Sequence, residues 1–166
     1  MSSGEVPTTQ ALVMSGSLPD RPSRCARLRN MRFLLTHPLE TRPSLVVDTC
    51  LTVETLTIER FRRDLHGLGC ANGLLFDTKQ CVILRDTYAS MDEASIVVEG
   101  APLDTNLVLA NVTGYTLEER VERWLEVLSV HWDNALPSEP AIAAPFFANI
   151  VPAASGSVLH ALKGAA

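Results

Sequence analysis

Two short apolar runs constrain this chain more than any other feature: Gly73-Leu74-Leu75-Phe76 and Cys81-Val82-Ile83-Leu84, separated by Asp77-Thr78-Lys79-Gln80. A strand with one face in water alternates apolar and polar residues, whereas a strand covered on both faces reads continuously apolar. Both runs are of the second kind and too short for helices. The polar residues between them suit a hairpin loop, although no Asn-Gly or Asp-Gly pair fixes the turn. The chain is thus committed to a sheet with material packed on both sides. Ser44-Leu45-Val46-Val47-Asp48 and Ser95 to Glu99 supply two more β-branched runs that read as strands.

Helical spacing fills the intervals. Thr52 to about Leu68 places Val53, Ile58, Phe61, Leu65 and Leu68 on one side. Thr55, Glu59, Arg62, Arg63 and His66 fall opposite, and Gly67 and Gly69 end the helix. Glu59 and Arg63 have the favourable i,i+4 spacing. Thr116 to Leu136 opens with a Thr116/Glu119 capping box and carries Leu117, Val121, Trp124, Leu125, Leu128, Trp132 and Leu136 on one side. Glu118, Glu122, Glu126 and Asp133 line another face, as a solvated row or a docking surface for a basic partner. Ser23 to Thr36 also reads as a helix, capped by Ser23, with Leu28, Met31, Leu34 and Leu35 inward. The order strand, helix, strand from Ser44–Asp48 to Gly73–Phe76 predicts a right-handed parallel crossover, with antiparallel strands added afterwards. The expected fold is α/β, a mixed central sheet of about four strands flanked by helices, with the Trp124/Trp132 helix across one face.

The 166 residues are 46% hydrophobic and 20% charged, with mean hydropathy +0.14, enough for one buried core. No apolar run approaches the roughly 18 residues of a membrane span. Met1 to Thr9 is polar and lacks a basic start before an apolar core, so no secretory leader and a cytoplasmic location are expected. Three segments are expected: residues 1–22 as a flexible arm, 23–136 as the α/β domain, and 137–166 as a proline-rich apolar C-terminal segment. That last segment holds Pro137, Pro140, Pro145 and Pro152 beside Ile142, Phe146, Phe147, Ile150 and Val151. Burying each large apolar residue is worth roughly 1.5–3 kcal/mol, so the segment packs either on its own domain or on a partner. Phe146, Phe147 and Ile150 are the partner-binding candidates, and Ser157 to Lys163 is expected to close the chain as a short helix.

Charge is uneven. Residues 1–63 carry nine Arg and six acids, net +3, and residues 64–166 are net −8, for an overall −5. Arg21, Arg24, Arg27, Arg29 and Arg32, then Arg60, Arg62 and Arg63, are the only cationic concentration. They read first as solvated faces; nucleic acid stays open as a partner but is not indicated. Cys25, Cys50, Cys70 and Cys81 form no CxxC pair and read as reduced core thiols. His37, His66, His131 and His160 show no zinc spacing. Gly67, Gly69 and Gly73 follow a helix and lead into a strand, the reverse of a phosphate cradle. No GxSxG elbow or Walker lysine is present. A small-molecule sensor using the space between sheet and long helix has only apolar lining to recommend it.

One stretch carries a resemblance. Leu45-Val46-Val47-Asp48-Thr49-Cys50, then a helix, then Gly73-Leu74-Leu75-Phe76-Asp77 through Val82-Ile83-Leu84-Arg85-Asp86, resembles the restriction-endonuclease-like (PD-(D/E)XK) superfamily. The similarity is to the N-terminal nuclease domain of type I restriction motor subunits, over residues 44–86 only. It implies two carboxylates that share a divalent metal and a strand lysine that orients or activates the attacking water. Asp48 occupies the acid's position, but Cys50 stands where the lysine belongs, and Glu40 is the only acid between the first helix and Asp48. The resemblance therefore implies a degenerate, inactive relative.

These features lead to a non-catalytic interaction or assembly subunit on a degenerate nuclease-like scaffold, with a protein partner or a second copy of itself and no cofactor. The rival is a divalent-metal-dependent nuclease, using magnesium, with a rearranged site at Asp48 and Glu59.

Overall fold

The structure, a computed structural model, describes residues 31–163. Six strands form one mixed sheet: β1 (Met31–Thr36), β2 (Leu45–Thr49), β3 (Asn72–Phe76), β4 (Gln80–Asp86), β5 (Ile96–Asp104) and β6 (Val158–Lys163). Their spatial order is β5-β4-β3-β2-β1-β6. Helix α1 (Thr55–Leu68) joins β2 to β3, and these two strands pair in parallel, with Val46 opposite Gly73 and Thr49 opposite Phe76. Every other neighbouring pair is antiparallel. The expected parallel crossover and following hairpin are therefore present.

Strand alternation sorts the core into two layers. Val46, Leu75, Val82, Leu84 and Ile96 face α1, where Phe61 and Leu65 meet them. Phe33, Leu35, Leu45, Val47, Leu74, Phe76, Cys81 and Ile83 face the other way. That side is covered by α2 (Thr105–Val108), α3 (Leu117–Val130), α4 (Trp132–Ala135), α5 (Pro140–Phe147) and α6 (Ile150–Ala154). Trp124 is fully buried at its centre, edge-to-face with Phe76 at 5.8 Å and with Phe146 at 5.6 Å. Its indole N–H donates to the Ala135 carbonyl at 3.2 Å.

Two local devices fix the α1 layer. Gly69 ends the helix at φ 67°, a left-handed conformation that side chains resist, and its N–H closes on the His66 carbonyl. Gly73 lets α1 approach β3: a Cβ there would lie 2.7 Å from Leu65 Cδ1 and 2.8 Å from Phe61 Cε2. The β3–β4 turn lacks a glycine signal because Asp77 organises it instead. Its buried carboxylate accepts from the Lys79 and Gln80 amides, each at 2.7 Å, and from the Val53 amide at 2.8 Å.

Four expectations need correction. Met31–Thr36 is a strand, not the end of a helix. Leu34 and Leu35 fit a helical face, but Phe33 and Leu35 are buried between less buried neighbours, a period of two. Residues 23–30 of that expected helix lie outside the described residues, as does the arm at 1–22. Ser157–Lys163 is not a helix either, since Val158–Lys163 pairs antiparallel along the whole of β1. Each strand is stabilised by a neighbour remote in sequence, which raises the strand count from about four to six. The helix from Thr116 breaks at His131 (φ −138°, ψ 72°), so Trp124 and Trp132 sit on separate helices. The capping box at Thr116 and Glu119 is formed as expected. Among the described residues no helix is long and apolar enough to cross a membrane.

Candidate functional site

Alternation along β1 and β2 also places a charged cluster on the α1 side. Arg32 and Asp48 are register partners, and both point toward α1. The Arg32 guanidinium donates from Nε to Asp48 Oδ1 at 2.7 Å and from Nη2 to Asp48 Oδ2 at 2.7 Å. Nη2 also donates to Asp64 Oδ2 on α1 at 2.6 Å. One cation thus ties two strands and a helix, with Arg32 and Asp48 side chains only 24% and 19% exposed. Burial pushes the Asp48 carboxyl above the usual carboxylate range, and the Arg32 contacts offset only part of that. The hydrogen bond to Asp48 raises the Arg32 value further, so the guanidinium stays charged.

This triad forms the base of a cleft of about 300 Å3 between α1 and the β1–β6 edge of the sheet. Thr57, Arg60, Phe61 and Asp64 face it from α1, because positions three, four and seven apart share one helix face. Leu162 and Lys163 of β6 close the far side. Cys50 also lines the cleft, but its thiol is pushed up to about 12, chiefly by burial and then by the charges of Asp77 and Asp48. It is a poor nucleophile, since only the thiolate attacks. Burial likewise raises Cys70 to about 11 and raises Cys81.

The two acids of the nuclease alternative are not brought together. Glu59 pairs with Arg62 in the i,i+3 sense, not with Arg63, and is outside the cleft lining. Arg62 in turn donates to the Ile96 carbonyl at 2.7 Å, toward the β5 end of the sheet. Among the described residues no group of three or more His, Cys, Asp or Glu is placed to hold a metal ion.

Of the three partner-binding candidates, Phe146 and Ile150 are fully buried in the chain's own core. Neither presents surface to a partner. Phe147 is 48% exposed and stacks edge-to-face on Trp132, itself 38% exposed, at 5.8 Å. The sequence pattern grouped Arg32 with the solvated cations and gave no site role to Asp64 or Lys163. The available signal was Arg32 itself, a charge at the inward beat of an otherwise apolar Met-Arg-Phe-Leu-Leu strand.

No family model, no curated protein and no solved structure matches this chain.

Proposed function

We propose that this chain is a non-catalytic interaction subunit, assembling with a protein partner or a second copy of itself. The observation that carries the non-catalytic half is the engagement of both Asp48 oxygens by Arg32. A carboxylate held at both oxygens by a guanidinium has its charge balanced and one lone pair on each oxygen occupied, which weakens it as a metal ligand or base, and Asp64 is held by the same cation. The scaffold reading, a degenerate relative of restriction nucleases, draws support from β2 carrying Asp48, then α1, a parallel β3 and the hairpin to β4. The interaction half draws support from the Trp132–Phe147 pair. Aromatic side chains left half in water, beside Asn111, Asn134 and Pro137 around one hollow, are the residue types enriched at interfaces.

Light scattering of the full chain over a range of concentrations, with co-purifying proteins identified by mass spectrometry, tests the reading. A Trp132→Ala/Phe147→Ala variant is expected to lose the assembly or the partner while keeping the wild-type melting temperature. A strictly monomeric wild type with no co-purifying protein would overturn it. Magnesium-dependent plasmid cleavage abolished by Asp48→Ala would replace it with the nuclease.

A further inference from the structure

The cleft over Arg32 carries two cations that the fold itself does not use. Arg32 directs Nε and Nη2 to Asp48 and Asp64. Arg60 and Lys163 face the same space, and among the described residues neither side chain makes an ion pair or hydrogen bond. The lining therefore holds three cations against two carboxylates, a net of +1: Arg32 with its two carboxylates sums to −1, and Arg60 and Lys163 add +2. What remains unbalanced lies at the mouth, and it is positive. Beneath it the walls are apolar: the buried Phe61 and Leu75, with Met31 and Leu162 beside them.

We infer that this cleft binds a small organic anion, a phosphate or carboxylate carried on a short apolar body. The anionic end would meet Arg60 and Lys163, and the apolar end would lie against Phe61 and Leu162. Several features favour this class over a nucleic-acid backbone. About 300 Å3 is the lower end of the range for small-ligand sites, which are concave, mostly apolar and supplied with a few convergent polar groups. A duplex requires a row of cations along a surface, whereas here two converge on one concavity. The apolar walls would have no role for a bare phosphate. The inference is independent of the interaction reading, because the cleft lies on the α1 side of the sheet and the Trp132–Phe147 pair on the other.

Titration calorimetry of the full chain with phenyl phosphate, benzoate, inorganic phosphate, benzyl alcohol and a short DNA duplex tests it. The two aromatic anions are expected to bind, more weakly as salt is added, and inorganic phosphate less well; the neutral alcohol gives no signal. Arg60→Gln and Lys163→Gln are each expected to weaken the aromatic anions about tenfold. Both residues are exposed and unpaired within the described fold, so the variants should melt with the wild type. Benzoate and phenyl phosphate then report whether carboxylate or phosphate is preferred. Four results would overturn the inference: no binding of either aromatic anion, equal binding of the alcohol, affinities unchanged in both variants, or a response only to a short DNA duplex.

Discussion

Arg32 and Asp48 stand opposite each other across β1 and β2 and close a two-point ion pair, 2.7 Å at both contacts. The pair joins β1 to β2, and Asp64 extends it to α1. In the fold, the acid that stands at the catalytic position of the resemblance meets a guanidinium at both of its oxygens.

Breaking the pair from one side leaves a largely buried carboxylate without its cation. Arg32→Met is expected to cost about 2–4 kcal/mol, near the range for orphaned buried charges. Arg32→Met/Asp48→Leu should recover most of that, because an apolar pair of similar volume needs no counter-charge. Urea denaturation of both variants and of Asp48→Leu closes the double-mutant cycle. A double variant as unstable as Arg32→Met would show that the contact matters for shape rather than charge.

The pH dependence follows from Asp48. Its carboxyl is raised in the folded state by burial, so the folded chain keeps the proton to a higher pH than the unfolded chain does. Stability should therefore fall as pH rises from about 4 through the raised value, then level off. The raised Arg32 value gives a slope of the same sign, but its stabilising contribution is present at all ordinary pH and lost only in strong alkali. Asp48→Asn should flatten the acidic slope in melting curves taken from pH 4 to neutrality. An unchanged slope would assign it to other carboxylates.

Neighbouring phenylalanines should behave in opposite ways. Phe146 is fully buried against Trp124, so Phe146→Ala is expected to cost about 3–5 kcal/mol. Phe147 touches Trp132 at the surface, so Phe147→Ala should cost under about 1 kcal/mol. Thermal melts of the two variants check this. Similar losses would mean that the outer aromatic pair is part of the core.

Gly73→Ala drives a methyl group against Leu65 and Phe61 at under 3 Å. We expect a loss of about 1–3 kcal/mol from overpacking, partly relieved in Gly73→Ala/Leu65→Ala, where the crowded side chain is shortened. Chemical denaturation of both separates crowding from strand propensity: no relief in the double variant would place the cost in the backbone.

How much was legible follows the range of the forces involved. The continuous runs at 73–76 and 81–84, the α1 face through Phe61 and Leu65, and the capping box at Thr116 are local patterns, and each is present in the fold. The sequence alone therefore determined a mixed α/β chain with a β2–α1–β3 parallel unit and a following hairpin. Tertiary structure decided the rest. Met31–Thr36 and Val158–Lys163 carry no decisive local signal. They become strands because each satisfies the other's backbone across more than a hundred residues of chain. The same closure brings Lys163 beside Met31 and over the Arg32–Asp48 pair, completing a cleft whose parts are scattered from residue 31 to residue 163. Asp48 shows the limit most clearly. Sequence placed it on a strand before the next helix, but whether it meets a metal, water or a guanidinium depends on which neighbour strand pairs with it, and that pairing is a long-range choice.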